Sequence, residues 1–290
     1  MSLTAFELRE ISPVVKYLGL EIVRDRPARK TWLHQLNYAD KLRRRFIDKG
    51  QGGRIQKTPK VGSLQFAAIT TRPDIAFACS KLGSSLTVKS DQHGREVDCC
   101  LAYLTDTRDT ALEFGGGPES LELINYVDAD NTGDKQNRTS TGKYVFVYGG
   151  ATVSLSSSRI KCATLTSTKF EYVAATDACK EGRRIRFLLA ELKLLNAGKL
   201  AVLRVDNKSA ITVARGLGLT GNLKHLERRY AWLQHMVRRG KFVLKYIPTT
   251  EQPADFLAKA LHFLAFNRCS VAIGQVRLAD FGDGDVDVQQ

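Results

Sequence analysis

Apolar and polar positions follow two different rhythms along this chain, and the change between them falls at a run of glycines. Before that run, YLGLEIVRDRPARKTWLHQL (17–36) reads as two strands around a polar Arg-Pro turn, and NYADKLRRRFIDKG then reads as a helix stopped by glycine. GQGGRIQKTPK (50–60) is a linker by composition. From Gly62 to Leu104 the spacing is helical, through SLQFAAITTRPDIAFACSKLGSSL and then DQHGREVDCCLAYLTDT. GGGP at 115–118 is the strongest internal break and is read as a domain boundary.

Beyond the break the period shortens to that of strands. LELINYVD is one strand, and GKYVFVY and ATVSLSS are two more, joined through Gly149-Gly150 as a tight hairpin. TSTKFEYVAATDACKEGRRIRFLLAELKLL is a long amphipathic helix with Ser167 or Thr168 as N-cap. LAVLRVD has the continuous apolar character of a buried strand, and the helical NKSAITVARG follows it. A basic helix NLKHLERRYAWLQHMVRRG ends at Gly240, KFVLKYIP is a last strand, and TEQPADFLAKAL opens a last helix with Pro253 in its first turn. Early hairpins imply antiparallel pairing, and strands separated by helices imply parallel additions. The fold class is therefore α/β, a mixed five-stranded sheet flanked by helices, preceded by a smaller α+β part. After about Cys269 the chain, ending DFGDGDVDVQQ, loses apolar periodicity and is read as a disordered tail over 270–290.

Composition narrows the partners. Of 290 residues 43% are hydrophobic, enough for one large domain or two modest ones. No stretch is long and apolar enough to span a bilayer, and the N-terminus lacks a signal-peptide core, so the expectation is an intracellular protein, in cytoplasm or nucleus. Six scattered cysteines have neither zinc spacing nor the look of a disulfide framework. Lys and Arg number 44 against 30 Asp and Glu, which raises nucleic acid as a partner. The basic residues cluster in KLRRRF (41–46), KEGRRIRF (180–187) and LKHLERRY (223–230), each of which is equally a solvated helix face.

Against that basic background, four acids stand where elements begin or end. Asp128 closes a strand at YVD and Asp206 closes another at RVD, while Glu171 and Asp255 fall in first helical turns. Carboxylates brought together repel unless cations neutralise them, and hard oxygen donors suit magnesium or manganese. Two such ions about 4 Å apart could drive an in-line phosphodiester displacement. Each acid also has a structural reading. Asp at a strand end commonly shapes a turn, and an acid in a first helical turn complements the helix dipole.

The stretches YLGLEIVRDR, VGSLQFAAITTRPDIAFACSKL, AYLTDTRDTALEF, YVDADNTGD, RTSTGKYVFVYGGATVSLSSSRIKCATLTSTKFEYVAATDACKE, VDNKSAI, KHLERRY and YIPTTEQPADFLAKAL carry a resemblance across most of the chain. It resembles the C-terminal end of copia-type retrotransposon Pol polyproteins, where reverse transcriptase leads into ribonuclease H. The resemblance implies a ribonuclease H-like domain over 118–269, preceded by a thumb-like reverse transcriptase remnant (1–60) and a helical connection (61–117). It implies hydrolysis of the RNA strand of RNA–DNA hybrids with two Mg2+ or Mn2+ ions held by Asp128, Glu171, Asp206 and Asp255. Asp130 is the rival for the first position, and Asp134 is assigned to the turn. Lys169, two residues before Glu171, is about 200° round the helix and should point away from the site. Lys224, His225, Arg228 and Arg229 are the candidate contacts to the hybrid, and other Pol segments are possible partners. The polymerase palm's paired aspartates have no counterpart, so no polymerase activity is expected of the chain by itself. The alternative is a catalytically inactive nucleic-acid-binding relic of the same fold.

Overall fold

The computed structural model describes residues 14–48, 57–86, 91–115, 121–130, 140–160, 167–195, 201–216, 227–257 and 259–278. Among them are eight α-helices and two five-stranded sheets.

The first sheet is antiparallel throughout, in the order β1 (Lys16–Tyr17), β2 (Leu20–Asp25), β3 (Lys30–His34), β4 (Thr110–Phe114) and β10 (Gln275–Arg277). Helices α1 (Leu36–Arg43), α2 (Lys57–Thr70), α3 (Ala76–Ser84) and α4 (Asp91–Asp106) fill the chain between β3 and β4. Strand β4 lies inside the stretch read as a helical connection. Its five residues follow a sixteen-residue helix whose apolar period masks them.

Residues 270–278 correct the expected tail. They complete helix α8 (Phe263–Ala272) and form β10, which pairs with β4 in the register Gln275↔Leu112. A buried network holds that strand in place. Arg72 and Asp74, from the TRPDIAFA stretch, are ion-paired at 2.7 Å, and Asp74 also accepts hydrogen bonds from Tyr103 at 3.0 Å and from the Gln275 amide at 2.9 Å. With Arg72 and Asp74 both below 10% exposure, each charge depends on the other for solvation, and Gln275 completes the set. Residues 279–290 lie outside the described residues.

The second sheet has the order β7 (Ala151–Ile160), β6 (Ser140–Tyr148), β5 (Ile124–Asp130), β8 (Ala201–Val205), β9 (Phe242–Tyr246). Pairs β7–β6–β5 are antiparallel, and β5–β8–β9 are parallel. Helix α5 (Ser167–Glu191) crosses from β7 to β8, α6 (Lys208–Ala214) and α7 (Glu227–Arg238) from β8 to β9. This is the mixed five-stranded sheet flanked by helices that the strand and helix order predicted. Gly149 and Gly150, at φ 66° and 89°, make the β6–β7 hairpin, whose tight turn needs positive φ at both central positions.

Both faces of the second sheet are covered, by alternate side chains of the same strands. Tyr126, Val145 and Val147 pack into a core with Leu64, Leu101 and Leu104 of the N-terminal helices. Val127, Leu203, Val205 and Leu244 face the other way, onto Tyr172, Ala175 and Cys179 of α5 and Leu233 of α7. At Gly182, in the middle of α5, an added Cβ would meet Phe146 and Phe242 at 3.0–3.1 Å. Glycine there weakens the helix by about 1 kcal/mol relative to alanine but lets it approach the sheet.

One element differs at the C-terminal end. TEQPADFLAKAL was expected to open an α-helix, yet it forms two 3₁₀ turns, Thr249–Glu251 and Pro253–Leu257. The next α-helix begins only at Phe263. The proline that an α-helix tolerates at its start suits a short 3₁₀ turn equally well, because neither needs its missing N–H.

Candidate metal centre

The parallel pairing of β5 with β8 stops at Val127 and Val205, where β8 ends and β5 runs on beside β6 to Asp130. The next residues are Asp128 and Asp206, so sheet geometry alone makes these acids neighbours. Asp128 is buried, and Asp206 is half-buried with the Thr249 hydroxyl donating to its Oδ2 at 3.0 Å. After Asp206 the chain turns into α6, where the Asn207 side chain caps the helix by accepting from the Ala210 N–H at 3.0 Å.

Glu171 reaches the same point from α5. It lies in the second turn of that helix and is buried against β5, where its Oε1 accepts from the Ala129 N–H at 3.3 Å. Carboxylate oxygens of Asp128, Glu171 and Asp206 all lie within 4.8 Å of one another. Lys169 is half-buried, with Glu171 inward of it.

Asp255 stands apart from this trio. Its 3₁₀ turn is fastened to the end of β5 by the buried Gln252 amide, which donates to the Val127 carbonyl at 2.9 Å. Its carboxylate pairs with Lys259 at 2.9 Å, four residues on. Asp255 is nonetheless within electrostatic reach, since burial and then the Asp128 charge push its pKa up against the opposing Lys259 hydrogen bond.

The cluster carries a strain of charge. Burial, then Asp128 and then Asp206 push the Glu171 pKa up to about 9. Burial and Asp128 likewise raise that of Asp206. Glu171 Oε2 is buried without a hydrogen-bond partner. An orphaned buried oxygen, aimed among two further carboxylates, is the donor set that a hard divalent cation satisfies.

A residue that sequence reasoning missed sits within this set. Lys143, on β6, is directly across from Asp128 in the antiparallel register and is fully buried. Its ammonium donates to Asp128 Oδ2 at 3.2 Å, so the chain supplies one internal cation to its own acid cluster. The signal was present in the hairpin pattern. Pairing INYVD with GKYVF antiparallel sets Lys143 opposite Asp128, but a lysine on a strand is ordinarily read as solvent-facing.

The proton on Glu171 gives the metal-free protein a definite pH dependence. Its folded pKa stands above the unfolded value near 4.5, so its contribution to stability is intact below about pH 4.5 and is lost as pH rises toward 9. Thermal melts in chelator are expected to fall by several degrees between pH 5 and pH 9. Glu171→Gln should flatten that dependence, and a Glu171→Gln profile as steep as wild type would show that another group carries it.

Among the other candidate residues, Lys224, His225 and Asp134 lie outside the described residues. Arg228 and Arg229 fall in the first turn of α7, and Asp130 ends β5. No helix among the described residues is long and apolar enough to cross a membrane.

No protein-family model matches the chain. It is 32% identical over 93% of its length to the retrovirus-related Pol polyprotein from transposon TNT 1-94 of Nicotiana tabacum. It is 31% identical over 75% of its length to that from transposon RE2 of Arabidopsis thaliana. The chain spans only 22% and 15% of the length of these two relatives. Among solved structures it is similar to an LC11-RNase H1 crystallised in complex with RNA/DNA hybrid, at 20% identity and a TM-score of 0.36, over 47% of this chain and 93% of that one.

Proposed function

This chain belongs to the copia-type retrotransposon Pol polyproteins, and from that premise we propose that its second sheet and flanking helices form a ribonuclease H-type endonuclease. The substrate would be the RNA strand of an RNA–DNA hybrid. The observation that carries the reading is the meeting of Asp128, Glu171 and Asp206 from three separated elements within 4.8 Å.

In this proposal Asp128, Glu171 and Asp206 hold the divalent cations, with Asp255 as the fourth acid at the edge. Bound there, a pair of magnesium or manganese ions would supply an activated water and stabilise the leaving oxygen of the phosphodiester. The chain's own part is to aim the oxygens. The Thr249 hydroxyl orients Asp206, the Ala129 N–H orients Glu171, and Gln252 ties the Asp255 turn to β5. Lys259 holds the Asp255 carboxylate until the hybrid and its counter-ions arrive. The formal charge of +14 favours a polyanionic substrate. Lys224, His225, Arg228 and Arg229 are the proposed contacts to it, through backbone and 2′-hydroxyl rather than base edges.

One observation supports the second reading, an inactive nucleic-acid-binding relic. Lys143 already places a positive charge against Asp128. A single assay separates the two. Purified protein is given a 20-base-pair hybrid labelled on the RNA strand, with magnesium, manganese or chelator. Cutting of the RNA strand only, with either ion and never in chelator, is the expected result. An intact RNA strand with both ions, in protein that still binds the hybrid, would establish the relic instead.

A further inference from the structure

The basic cluster KEGRRIRF takes no part in the carboxylate site. It occupies the second half of α5, where Arg183 and Phe187 lie 12 and 16 residues beyond Glu171, about 18 and 24 Å along the helix axis. There it forms, with α7 and the opening of β9, a groove of about 830 Å³. Phe242 begins β9 and pairs with Ala201 at the start of β8, so the groove is at the opposite end of the sheet from Asp128 and Asp206.

The lining has one sign of charge. Arg183, Arg184, Arg186, Arg239 and Lys241 all contribute, and no carboxylate does. Arg184 is held by Glu181 at 2.8 Å, whereas Arg183, Arg239 and Lys241 have no acidic partner among the described residues. Aromatic surface is interleaved with these cations. Phe187 is 70% exposed on the wall, and the half-buried Trp232 also contributes to the lining. An exposed phenylalanine costs solubility unless something flat covers it, and guanidinium groups around it select against a neutral partner.

We propose that the groove between α5 and α7 binds single-stranded nucleic acid, phosphates on the arginines and Lys241, and a base stacked on Phe187. Alternating charge and ring surface is how sequence-tolerant single-strand sites are built. A duplex hides its base faces and would leave Phe187 bare, and an acidic peptide would use the cations alone. The proposal does not rest on the carboxylate reading, and its test involves no cleavage.

The test is fluorescence anisotropy of a labelled dT12 strand with the full chain in chelator, over a range of salt. Wild type should bind with a steep salt dependence. Arg183→Glu with Arg239→Glu should weaken binding more than tenfold at 50 mM salt and lower the slope of log K against log salt by about 1.4. Phe187→Ala should weaken binding about tenfold with the slope unchanged. All three residues are exposed, and a melting curve matching wild type confirms that each variant is folded. Wild-type affinity in Phe187→Ala, an equal loss of affinity for a dT12·dA12 duplex in that variant, or equal competition by an oligoglutamate of matched charge would each overturn the assignment.

Discussion

Asp206→Asn is expected to reduce cleavage of an RNA–DNA hybrid by roughly three orders of magnitude, about 4 kcal/mol of transition-state stabilisation, while changing hybrid affinity only a few-fold. Asp206 is the half-buried member of the trio, reached from solvent and ordered by the Thr249 hydroxyl, and an amide in its place can still accept that bond. What the amide lacks is the negative charge. The loss should therefore appear in kcat and in the divalent-ion requirement rather than in KM. Removing one of three mutually repelling carboxylates also relieves the pressure that raises the Glu171 pKa. The variant should accordingly melt no lower than wild type in chelator. Cleavage within tenfold of wild type, in a folded variant, would take Asp206 out of the chemistry.

Lys143→Met is expected to have the largest effect on stability. Its ammonium is fully buried beside Asp128, and removing one partner of a buried pair leaves an uncompensated charge at a cost of about 3–5 kcal/mol. The cost should be conditional. In chelator the variant should unfold at markedly lower urea, and millimolar magnesium should recover much of the difference, because a cation bound only by the folded state stabilises it by mass action. The same variant should bind divalent ions more tightly than wild type, since the internal cation no longer competes. Equal destabilisation with and without magnesium would reduce Lys143 to a packing role.

What could be read from the sequence follows from how each element is stabilised. Strands β5 to β9 and helix α5 bury long periodic faces, so their spacing alone defined them, and the Gly149-Gly150 turn declared its hairpin by the φ it requires. Asp206 was legible as an acid just past its strand. Asp128, expected to close β5, lies two residues before its end at Asp130, because β5 runs on beside β6 after its pairing with β8 stops at Val127 and Val205. Short elements held by distant partners were not legible. β10 is three residues long, pairs with a strand more than 160 positions away, and owes its place to Asp74 and Gln275 rather than to any local pattern. Lys143 escaped for the opposite reason. Its strand was correctly placed, but β6 is covered on both faces, and nothing local says that a lysine there faces inward. Asp255 was placed in the right vicinity on the wrong element. A proline-led 3₁₀ turn and a first α-helical turn share the same sequence signature, and the turn leaves its carboxylate with Lys259, outside the trio.

The claim at the centre is that Asp128, Glu171 and Asp206 jointly hold a divalent cation. A crystal of the chain soaked in manganese and measured at the manganese absorption edge addresses it most directly. An anomalous peak about 2.2 Å from carboxylate oxygens of all three residues, with the Lys143 ammonium moved off Asp128, is the result the account requires. A soaked crystal with no peak among these oxygens, and with Lys143 still bonded to Asp128, would contradict it.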